Sequence, residues 1–369
     1  MACPASHSKM ISHGLTLFAQ LFALFHFSLG YDLRTEYLTN PMGIDCPQPR
    51  FSWKNDHPQT TYHIHVHEKD TGTIVWDSST VQSSTNHHIL YQGAPLISDT
   101  RYLLTVTTTT TNHTTTNHTD LGTFHTGLLS GAKDPLLQAK WITGGAAARL
   151  LRTQFALAAR PNAASVFVSG LGYFELYCNG KKVGNQRLDV GWSDYSKRIY
   201  YVTYDLTGHL IQGMNVMGVS LGNGRFAHEG NMTGNTNNPP QLLLQANIRS
   251  GAGNTTTIIS NVKDWSTHAG PIVHDSLFNG ETYDARLEPA VQGWTTATCP
   301  NCQTWTTHPT LVDLTAVGIN NAVLASQRFE PIRTIASHVP IAITNPKPGM
   351  WVADFGQNMA GIVQISIRQ

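Results

Sequence analysis

The chain has 369 residues, of which 40% are hydrophobic and 13% are charged, and its formal net charge is +1. A near-neutral chain offers no electrostatic footprint for nucleic acid, so we expect no nucleic-acid partner. The length is enough for two or three domains. The charged fraction is well below the usual ~25%, which leaves little for the surfaces of long helices and favours β structure.

The first 30 residues have the pattern of a secretory signal peptide. An apolar run over residues 15–29 follows Lys9, and the small residues Ser28 and Gly30 suit a cleavage site. The run is shorter than the ~20 residues of a membrane-spanning helix, so we expect a secreted chain with no membrane anchor once the signal is removed. The alternative is an apolar artefact of gene prediction. N-glycosylation sequons support secretion, and they begin at Asn112, Asn117, Asn231 and Asn254.

Residues 31–127 are predicted to form a fibronectin- or immunoglobulin-like β-sandwich. Tyr62, Ile64 and Val66 alternate with polar neighbours, which places one set inside a sheet and the other outside. The same alternation occurs from Phe51 and from Tyr102. Short strands separated by turn signals are typical of such sandwiches.

Two features of this region suggest alternatives. His63, His65 and His67 occupy alternate positions of a predicted strand, so their rings could converge on a metal ion. We favour the simpler interpretation, a polar outer face, and assign no metal. The threonine-rich stretch 107–119 is predicted to continue a strand into a glycosylated loop.

A linker is predicted over 128–137, followed by a second β domain over 138–308. Val166 and Val168 alternate with serines, and Asn179-Gly180 is the residue pair favoured in a type I′ hairpin turn. The strand-like segments that follow outline a jelly-roll sandwich. The segment 331–369 carries three further strand-like runs near 341–343, 351–353 and 361–367. We interpret it as a truncated β domain, because the last run reaches the end of the sequence.

The cysteine pair Cys299 and Cys302 has a spacing that suits a small disulfide loop in a secreted protein. A redox pair or half of a zinc site has the same spacing. No βαβ pattern surrounds the pair and no second Cys/His pair follows at zinc spacing. A structural disulfide and two free thiols therefore remain as the interpretations.

Several segments, in order along the chain, resemble the bacterial α-L-rhamnosidases of glycoside hydrolase family 78. They are LRTEYLTNPMGI (33–44), PRFSW (49–53), SGLGYFELYCNGKKVG (169–184), LDVGWSDYSKR (188–198), LGNG (221–224), NGETYDAR (279–286) and DFGQN (354–358). The resemblance covers nearly all of the chain after the predicted leader. It implies an all-β region with a fibronectin-like sandwich, a jelly-roll carbohydrate-binding-like sandwich and the start of a concanavalin-like domain.

The resemblance also limits the function that we expect. Members of the family are inverting hydrolases that release terminal α-L-rhamnose, with catalytic carboxylates on an (α/α)6 barrel that follows β domains of this kind. Inversion needs two carboxyl groups about 6.5–9.5 Å apart. No barrel is recognised in this sequence, so we name no catalytic residue and expect the chain alone to be inactive. We predict an accessory carbohydrate-recognising and scaffolding region, with a free-standing, lectin-like binding protein as the alternative.

Rhamnose-containing glycans are the expected partners, and the sequence makes no prediction of oligomeric state. Sugars are bound by aromatic faces and convergent polar groups on loops. The candidate binding residues lie beside predicted turns of the second domain: Glu175, Asn179, Asp189, Trp192, Asp194, Tyr195, Asn223 and Arg225. Some members of the family bind rhamnose through calcium, and Asp189 and Asp194 could supply oxygen ligands. We favour a structural role for 191–195, and a buried Asp284–Arg286 pair over docking to a barrel for 281–286.

Overall fold

The computed structural model describes residues 32–112, 114–147, 149–227, 238–251, 253–319 and 321–366, with the side chains of 111–118 excepted. The predicted leader and Asn231 lie outside these residues. Helical structure in the described residues is confined to α1 (Glu288–Val291) and short 3-10 turns at Gly131–Lys133, Ala285–Leu287 and Cys302–Thr304. Among the same residues, no helix has the length and apolarity needed to cross a membrane. The predicted all-β class is confirmed.

The first sandwich packs a three-stranded sheet, in the order β1-β2-β6, against a five-stranded sheet, in which β4-β3-β7-β8 are joined by β5 beside β3. The strands are β1 (Arg34–Thr35), β2 (Arg50–Ser52), β3 (Gln59–Glu68), β4 (Ile74–Asp77), β5 (Val81–Gln82), β6 (Ile89–Leu90), β7 (Arg101–Asn112) and β8 (Thr114–His125).

The core of this sandwich follows the predicted alternation. Ile64 and Val66 of β3 are fully buried, and Tyr62 is 9% exposed. Aromatic rings from both sheets fill the centre, where the rings of Phe51 and Phe124 are 5.8 Å apart. Period-two burial places the intervening histidines of β3 on the outer face.

The threonine-rich stretch is a strand pair and not the loop that we predicted. β7 and β8 pair antiparallel over twelve residues each, from Arg101 opposite His125 to Asn112 opposite Thr114. Threonine is β-branched and favours extended backbone, so a run of threonines extends the ladder. Thr107 and Thr119 also share a 3.0 Å hydrogen bond between their hydroxyls.

The second sandwich has a five-stranded sheet, in the order β13-β12-β16-β10-β19, and a seven-stranded sheet in which β22-β9-β17-β11-β15-β23 are joined by β18 beside β17. Two further antiparallel pairs lie outside these sheets: β20 with β21, and β14 with a short strand at Ile332–Arg333. The strands from β9 to β23 are β9 (Ile142–Thr143), β10 (Leu150–Leu157), β11 (Ala163–Leu171), β12 (Tyr173–Cys178), β13 (Lys181–Lys182), β14 (Gln186–Arg187), β15 (Arg198–Asp205), β16 (Gly213–Gly222), β17 (Gln241–Ser250), β18 (Asn254–Ile259), β19 (Trp265–His268), β20 (Ile272–Ser276), β21 (Gly280–Tyr283), β22 (Thr310–Leu311) and β23 (Val323–Ser326).

The predicted hairpin turn between β12 and β13 is present. Asn179 and Gly180 have φ values of 49° and 82°, as a type I′ turn requires. Cys178 and Lys181 face each other across it.

Strand β11 is buried on both faces along its whole length. Val166 and Val168 point into the core between the two sheets of the second sandwich. Phe167 and Leu171 point the other way, into a cluster that includes Leu128 from the segment that follows β8. Residues of this cluster therefore cover the outer face of β11. The first sandwich adds Asp99, which accepts a hydrogen bond from Ser165, and His125, whose ring centroid lies 6.4 Å from that of Phe167.

The predicted linker is a packed segment. Leu128 is 1% exposed, and its amide donates a 2.7 Å hydrogen bond to the hydroxyl of Tyr201 in β15. Gly43 comes so close to β15 that an added Cβ would lie 1.9 Å from the Thr203 hydroxyl oxygen. The two sandwiches are therefore in direct contact at the backbone.

The segment after residue 331 contains β24 (Ile332–Arg333) and the hairpin of β25 (Ala342–Lys347) and β26 (Met350–Asp354). All residues of β25 and β26 are exposed. The predicted strand at 361–367 is wrong over 361–366, which have no regular secondary structure. An alternating pattern becomes a strand only where a partner accepts its backbone hydrogen bonds, and no strand pairs with these described residues.

Candidate functional site

A cavity of about 620 Å³ opens over the five-stranded sheet of the second sandwich, and we call it the groove. Its volume is within the ~300–1,000 Å³ range of small-molecule sites. One wall is the sheet itself, and the other is the segment 270–295. The side chains with binding potential are Arg149, Tyr177, Tyr283, Glu288, Gln292 and Trp294.

Aromatic side chains form one end of the groove. Tyr177 of β12 and Trp294 meet edge to face, with ring centroids 5.9 Å apart. Behind Trp294, Trp305 stacks at 6.4 Å and is itself stacked on His268 at 4.8 Å. A row of stacked rings resists rearrangement, so this wall is preorganised.

A disulfide and a buried arginine hold the segment that carries Trp294 in place. Cys299 and Cys302 form a disulfide and pack with Trp305 in a small apolar cluster. Arg152, which is 5% exposed, donates a 2.9 Å hydrogen bond from Nε to the carbonyl of Trp294 and a 3.2 Å bond to that of Thr296. Burial lowers the pKa of Arg152. The guanidinium thus holds a loop that has little regular structure of its own.

Polar groups converge from two sides of the groove. Arg149 is 9% exposed, and its guanidinium is hydrogen-bonded to Asp275 of β20. Across the groove, the Tyr283 hydroxyl donates a 2.6 Å hydrogen bond to Glu288, and this bond raises the pKa of Tyr283 to about 12. The groove therefore has an oriented cation on one side and a carboxylate–phenol pair on the other.

None of the eight predicted binding residues is among the residues that line the groove. Glu175 is linked to the groove, because it accepts a 2.6 Å hydrogen bond from the hydroxyl of Tyr177, and it also binds Lys182 and Arg187. Burial would raise the pKa of Glu175, but its bonds to Lys182 and Tyr177 hold the pKa below the usual range. Asn223 is connected through Asp275, which accepts a 2.7 Å bond from its amide.

Three of the predicted binding residues are engaged in hydrogen bonds or packing within the fold. Asn179 is engaged within its hairpin, where its side-chain oxygen accepts from the amide of Val216 at 2.9 Å. Asp189 is 3% exposed and accepts from the hydroxyl of Tyr204, and burial raises the pKa of Asp189. Tyr195 is 7% exposed and packs into an apolar cluster.

Trp192 and Arg225 meet on the surface, away from the groove. The Arg225 guanidinium lies 4.9 Å from the ring centroid of Trp192 and 5.8 Å from that of Phe278, a residue that follows β20. We call these three residues the surface cluster. Asp194 is exposed and caps a local turn with Ser196. Asp189 is buried and Asp194 is exposed, so the two carboxylates that we considered as calcium ligands lie in different environments.

The remaining sequence-based candidates are scattered. The Asp284–Arg286 pair is present but is not the buried pair that we expected, because the Arg286 side chain is 89% exposed. The two residues are only two positions apart, so they form a local fork at a surface turn. Asn254 is exposed at the start of β18, and Asn112 and Asn117 lie on β7 and β8.

Tyr177 and Trp294 are the aromatic groove residues that the sequence did not predict. Trp294 lies five residues before Cys299, and Trp305 lies three residues after Cys302. Two tryptophans on either side of a short disulfide loop are a signal for a rigid aromatic wall. Tyr177 carries no such signal, because its position on β12 follows the ordinary alternation of a strand.

Two family matches cover most of the chain. Residues 31–130 match the family described as Rha78A-like, N-terminal immunoglobulin domain, and residues 159–336 match the family described as Alpha-L-rhamnosidase N-terminal domain. This chain is the N-terminal region of a rhamnosidase-like protein. The resemblance that the sequence motifs indicated is therefore confirmed. Most of the residues that line the groove belong to the second of the two matched regions.

Relatives of the rhamnosidase-like chain agree with this assignment. An alpha-L-rhamnosidase from Formosa agariphila is 29% identical over 374 residues, which cover 90% of this chain and 38% of the relative. One from Streptomyces avermitilis is 36% identical over 228 residues, or 60% of this chain and 21% of the relative. The chain thus spans under two-fifths of the length of these curated relatives.

Solved structures show the same architecture. The alpha-L-rhamnosidase from Dictyoglumus thermophilum is 32% identical, with a TM-score of 0.76 over 89% of the rhamnosidase-like chain and 38% of that structure. The alfa-L-rhamnosidase from Aspergillus terreus is 26% identical, with a TM-score of 0.75 over 89% and 38%.

Proposed function

We propose that this chain is the carbohydrate-recognising and scaffolding part of a secreted rhamnosidase-like hydrolase, and that rhamnose-containing glycans bind in the groove. The observation that carries the proposal is the preorganised wall of Tyr177 and Trp294 beside the oriented guanidinium of Arg149. The names of the relatives supply the sugar, since they are alpha-L-rhamnosidases.

The chemistry of the groove suits a small sugar. The apolar face of a pyranose can stack on an aromatic ring, and its hydroxyls need a few fixed donors and acceptors. Arg149 offers donors, Glu288 offers acceptors, and Gln292 offers both. Methyl-bearing rhamnose also presents apolar surface, for which Leu150 and Val291 line the base of the groove.

The groove is proposed to bind and not to cleave. Among the described residues that line it, Glu288 is the one carboxylate, and it is engaged with Tyr283. Inverting hydrolysis needs a second carboxylate about 6.5–9.5 Å away to activate water. We therefore expect the 369-residue chain alone to release no product from an aryl α-L-rhamnoside.

Calorimetric titration with methyl α-L-rhamnoside tests the proposal, once in calcium and once in EDTA. We expect millimolar binding that Trp294→Ala weakens at least about tenfold, which corresponds to about 1.4 kcal/mol. Trp192→Ala is the matched control, because it removes an exposed indole from the same sandwich outside the groove. An unchanged affinity of Trp294→Ala would overturn the groove assignment. No heat with any variant would leave only the scaffolding role.

A free-standing carbohydrate-binding protein is the second candidate function. The surface cluster favours it, since Trp192 and Phe278 are 53% and 59% exposed on either side of Arg225. If the surface cluster binds the glycan, Trp192→Ala abolishes the heat of binding and Trp294→Ala preserves it. The same pair of variants thus separates the two candidates.

A further inference from the structure

Two histidines and an aspartate meet on the outer face of the first sandwich. His63 and His65 occupy alternate positions of β3, and Asp77 ends the neighbouring strand β4 directly opposite His65. Nε2 of His63 lies 2.6 Å from one Asp77 carboxylate oxygen, and Nε2 of His65 lies 3.3 Å from the other. The three ligand atoms all lie within 4.8 Å of one another.

The spacing of these atoms suits a small divalent cation. Zinc binds imidazole nitrogen and carboxylate oxygen at about 2.0–2.2 Å, so tetrahedral ligand atoms lie about 3.3–3.5 Å apart. The 3.3 Å contact of His65 Nε2 with one Asp77 oxygen already has this length. His63 Nε2 contacts the other oxygen at 2.6 Å, so the carboxylate must turn for one oxygen to serve both nitrogens. Rotation of the half-exposed Asp77 side chain can supply that change, because it is 48% exposed.

The strand that carries the two histidines is hydrogen-bonded along both of its edges. β3 is hydrogen-bonded to β4 and β5 on one side and to β7 on the other, and its inward residues Ile64 and Val66 are fully buried. Asp77 is oriented by a 2.7 Å hydrogen bond from the amide of Ser79 to one of its oxygens. A metal would therefore meet side chains that are already gathered, and the Asp77 carboxylate is the group that must turn.

We propose that His63, His65 and Asp77 form a zinc site with an open fourth position. Two neutral imidazoles and one carboxylate leave a net charge of +1 on the bound ion, and three protein ligands leave room for water or an anionic group. The site lies in the immunoglobulin-like sandwich and is independent of the groove and of the proposed sugar specificity.

The proposal is tested on the chain without a polyhistidine tag, after EDTA treatment and dialysis. Titration with Co²⁺ followed by visible absorption reports tetrahedral coordination, and calorimetry with ZnCl₂ gives affinity and stoichiometry. We expect one metal ion per chain at this site. His65→Ala and Asp77→Asn should each weaken binding by more than the ~100-fold that is the upper end of the cost of losing an outer-shell partner alone.

The control is His88→Ala, in the same sandwich, where His87 and His88 form an exposed ring pair 5.4 Å apart. This variant should bind zinc as the unmodified chain does. Thermal unfolding in EDTA checks that the variants fold. If Asp77→Asn does not fold, Asp77→Glu replaces it as the variant of this ligand. The proposal is overturned if zinc affinity is the same in all folded variants, or if His88→Ala weakens binding as much as His65→Ala.

Discussion

Asp99 is the residue whose removal should most weaken the contact between the two sandwiches. It lies in the loop before β7, is 1% exposed, and has a left-handed backbone with φ of 53°. Its carboxylate accepts hydrogen bonds from Ser165, from Asn247 at 2.9 Å and from Arg249 at 2.6 Å. Nε2 of His125 lies 3.1 Å away. We predict that Asp99→Ala destabilises the chain far more than loss of a surface ion pair.

The size of the effect follows from the burial of the partners. Ser165 and Asn247 are 3% and 1% exposed, so their polar atoms stay without water when the carboxylate is removed. Each buried polar group left unsatisfied costs about 1–3 kcal/mol. Arg249 is 34% exposed and can turn to solvent, which limits its share. We expect a loss of about 3–5 kcal/mol for Asp99→Ala, the range that applies when one partner of a buried ion pair is deleted.

Equilibrium urea unfolding at neutral pH, followed by tryptophan fluorescence, measures this loss. Asp99→Asn keeps the size and tolerates the left-handed backbone, and it removes the charge together with one of the two acceptor oxygens, so we expect a smaller loss than for Asp99→Ala. Asp70→Ala removes the partner of Arg101 from an exposed pair and should cost at most about 1 kcal/mol. If Asp99→Ala also costs under about 1 kcal/mol, the reasoning about buried partners is refuted.

The Asp99 carboxylate also predicts how the unfolding free energy of the chain changes with pH. Burial would raise the pKa of Asp99, but the contact with His125 and the charge of Arg249 hold it below the usual range. A depressed pKa in the folded chain stabilises it above the unfolded pKa of about 3.9, and this stabilisation is lost as the pH falls through the folded value. The difference in unfolding free energy between the unmodified chain and Asp99→Asn should therefore shrink on acidification below about pH 4.

Two further predictions concern other buried positions. Gly43→Ala should lower the unfolding free energy by about 2 kcal/mol or more, because its methyl group would collide with Thr203. Gly72→Ala has a similar φ and open space, so a thermal-unfolding loss as large as that of Gly43→Ala would contradict a steric cause. Burial raises the pKa of Asp189, so its contribution to stability is lost as the pH rises through the folded value. Asp189→Asn should therefore gain stability relative to the unmodified chain between about pH 4 and pH 7 in urea unfolding, and a relative loss would contradict this.

Local patterns predicted the strands well where a chemical rule acts over a few residues. Alternation placed Tyr62, Ile64 and Val66 inside β3, and Asn179-Gly180 forms the expected turn. The first case depends on the period of the strand, and the second depends on the φ preference of the turn residues. Both are local properties of the sequence.

Patterns failed where the outcome depends on a distant partner. The threonine run could be a strand or a loop, and β7 pairing with β8 decides for the strand. The alternating residues 361–366 lack a partner and stay irregular. The groove was missed for the same reason, because Tyr177 and Trp294 lie far apart in sequence and meet only after the loop folds over the sheet.

The double burial of β11 has a consequence for how this protein can be divided. Family boundaries suggest two modules that could be cut apart and recombined. A cut between the two matched regions would remove Leu128 from the cluster that contains Phe167 and Leu171, and it would take away the amide that donates to the Tyr201 hydroxyl. We therefore expect either sandwich alone to unfold more readily than the joined pair, because Leu128 links the two regions within one buried cluster.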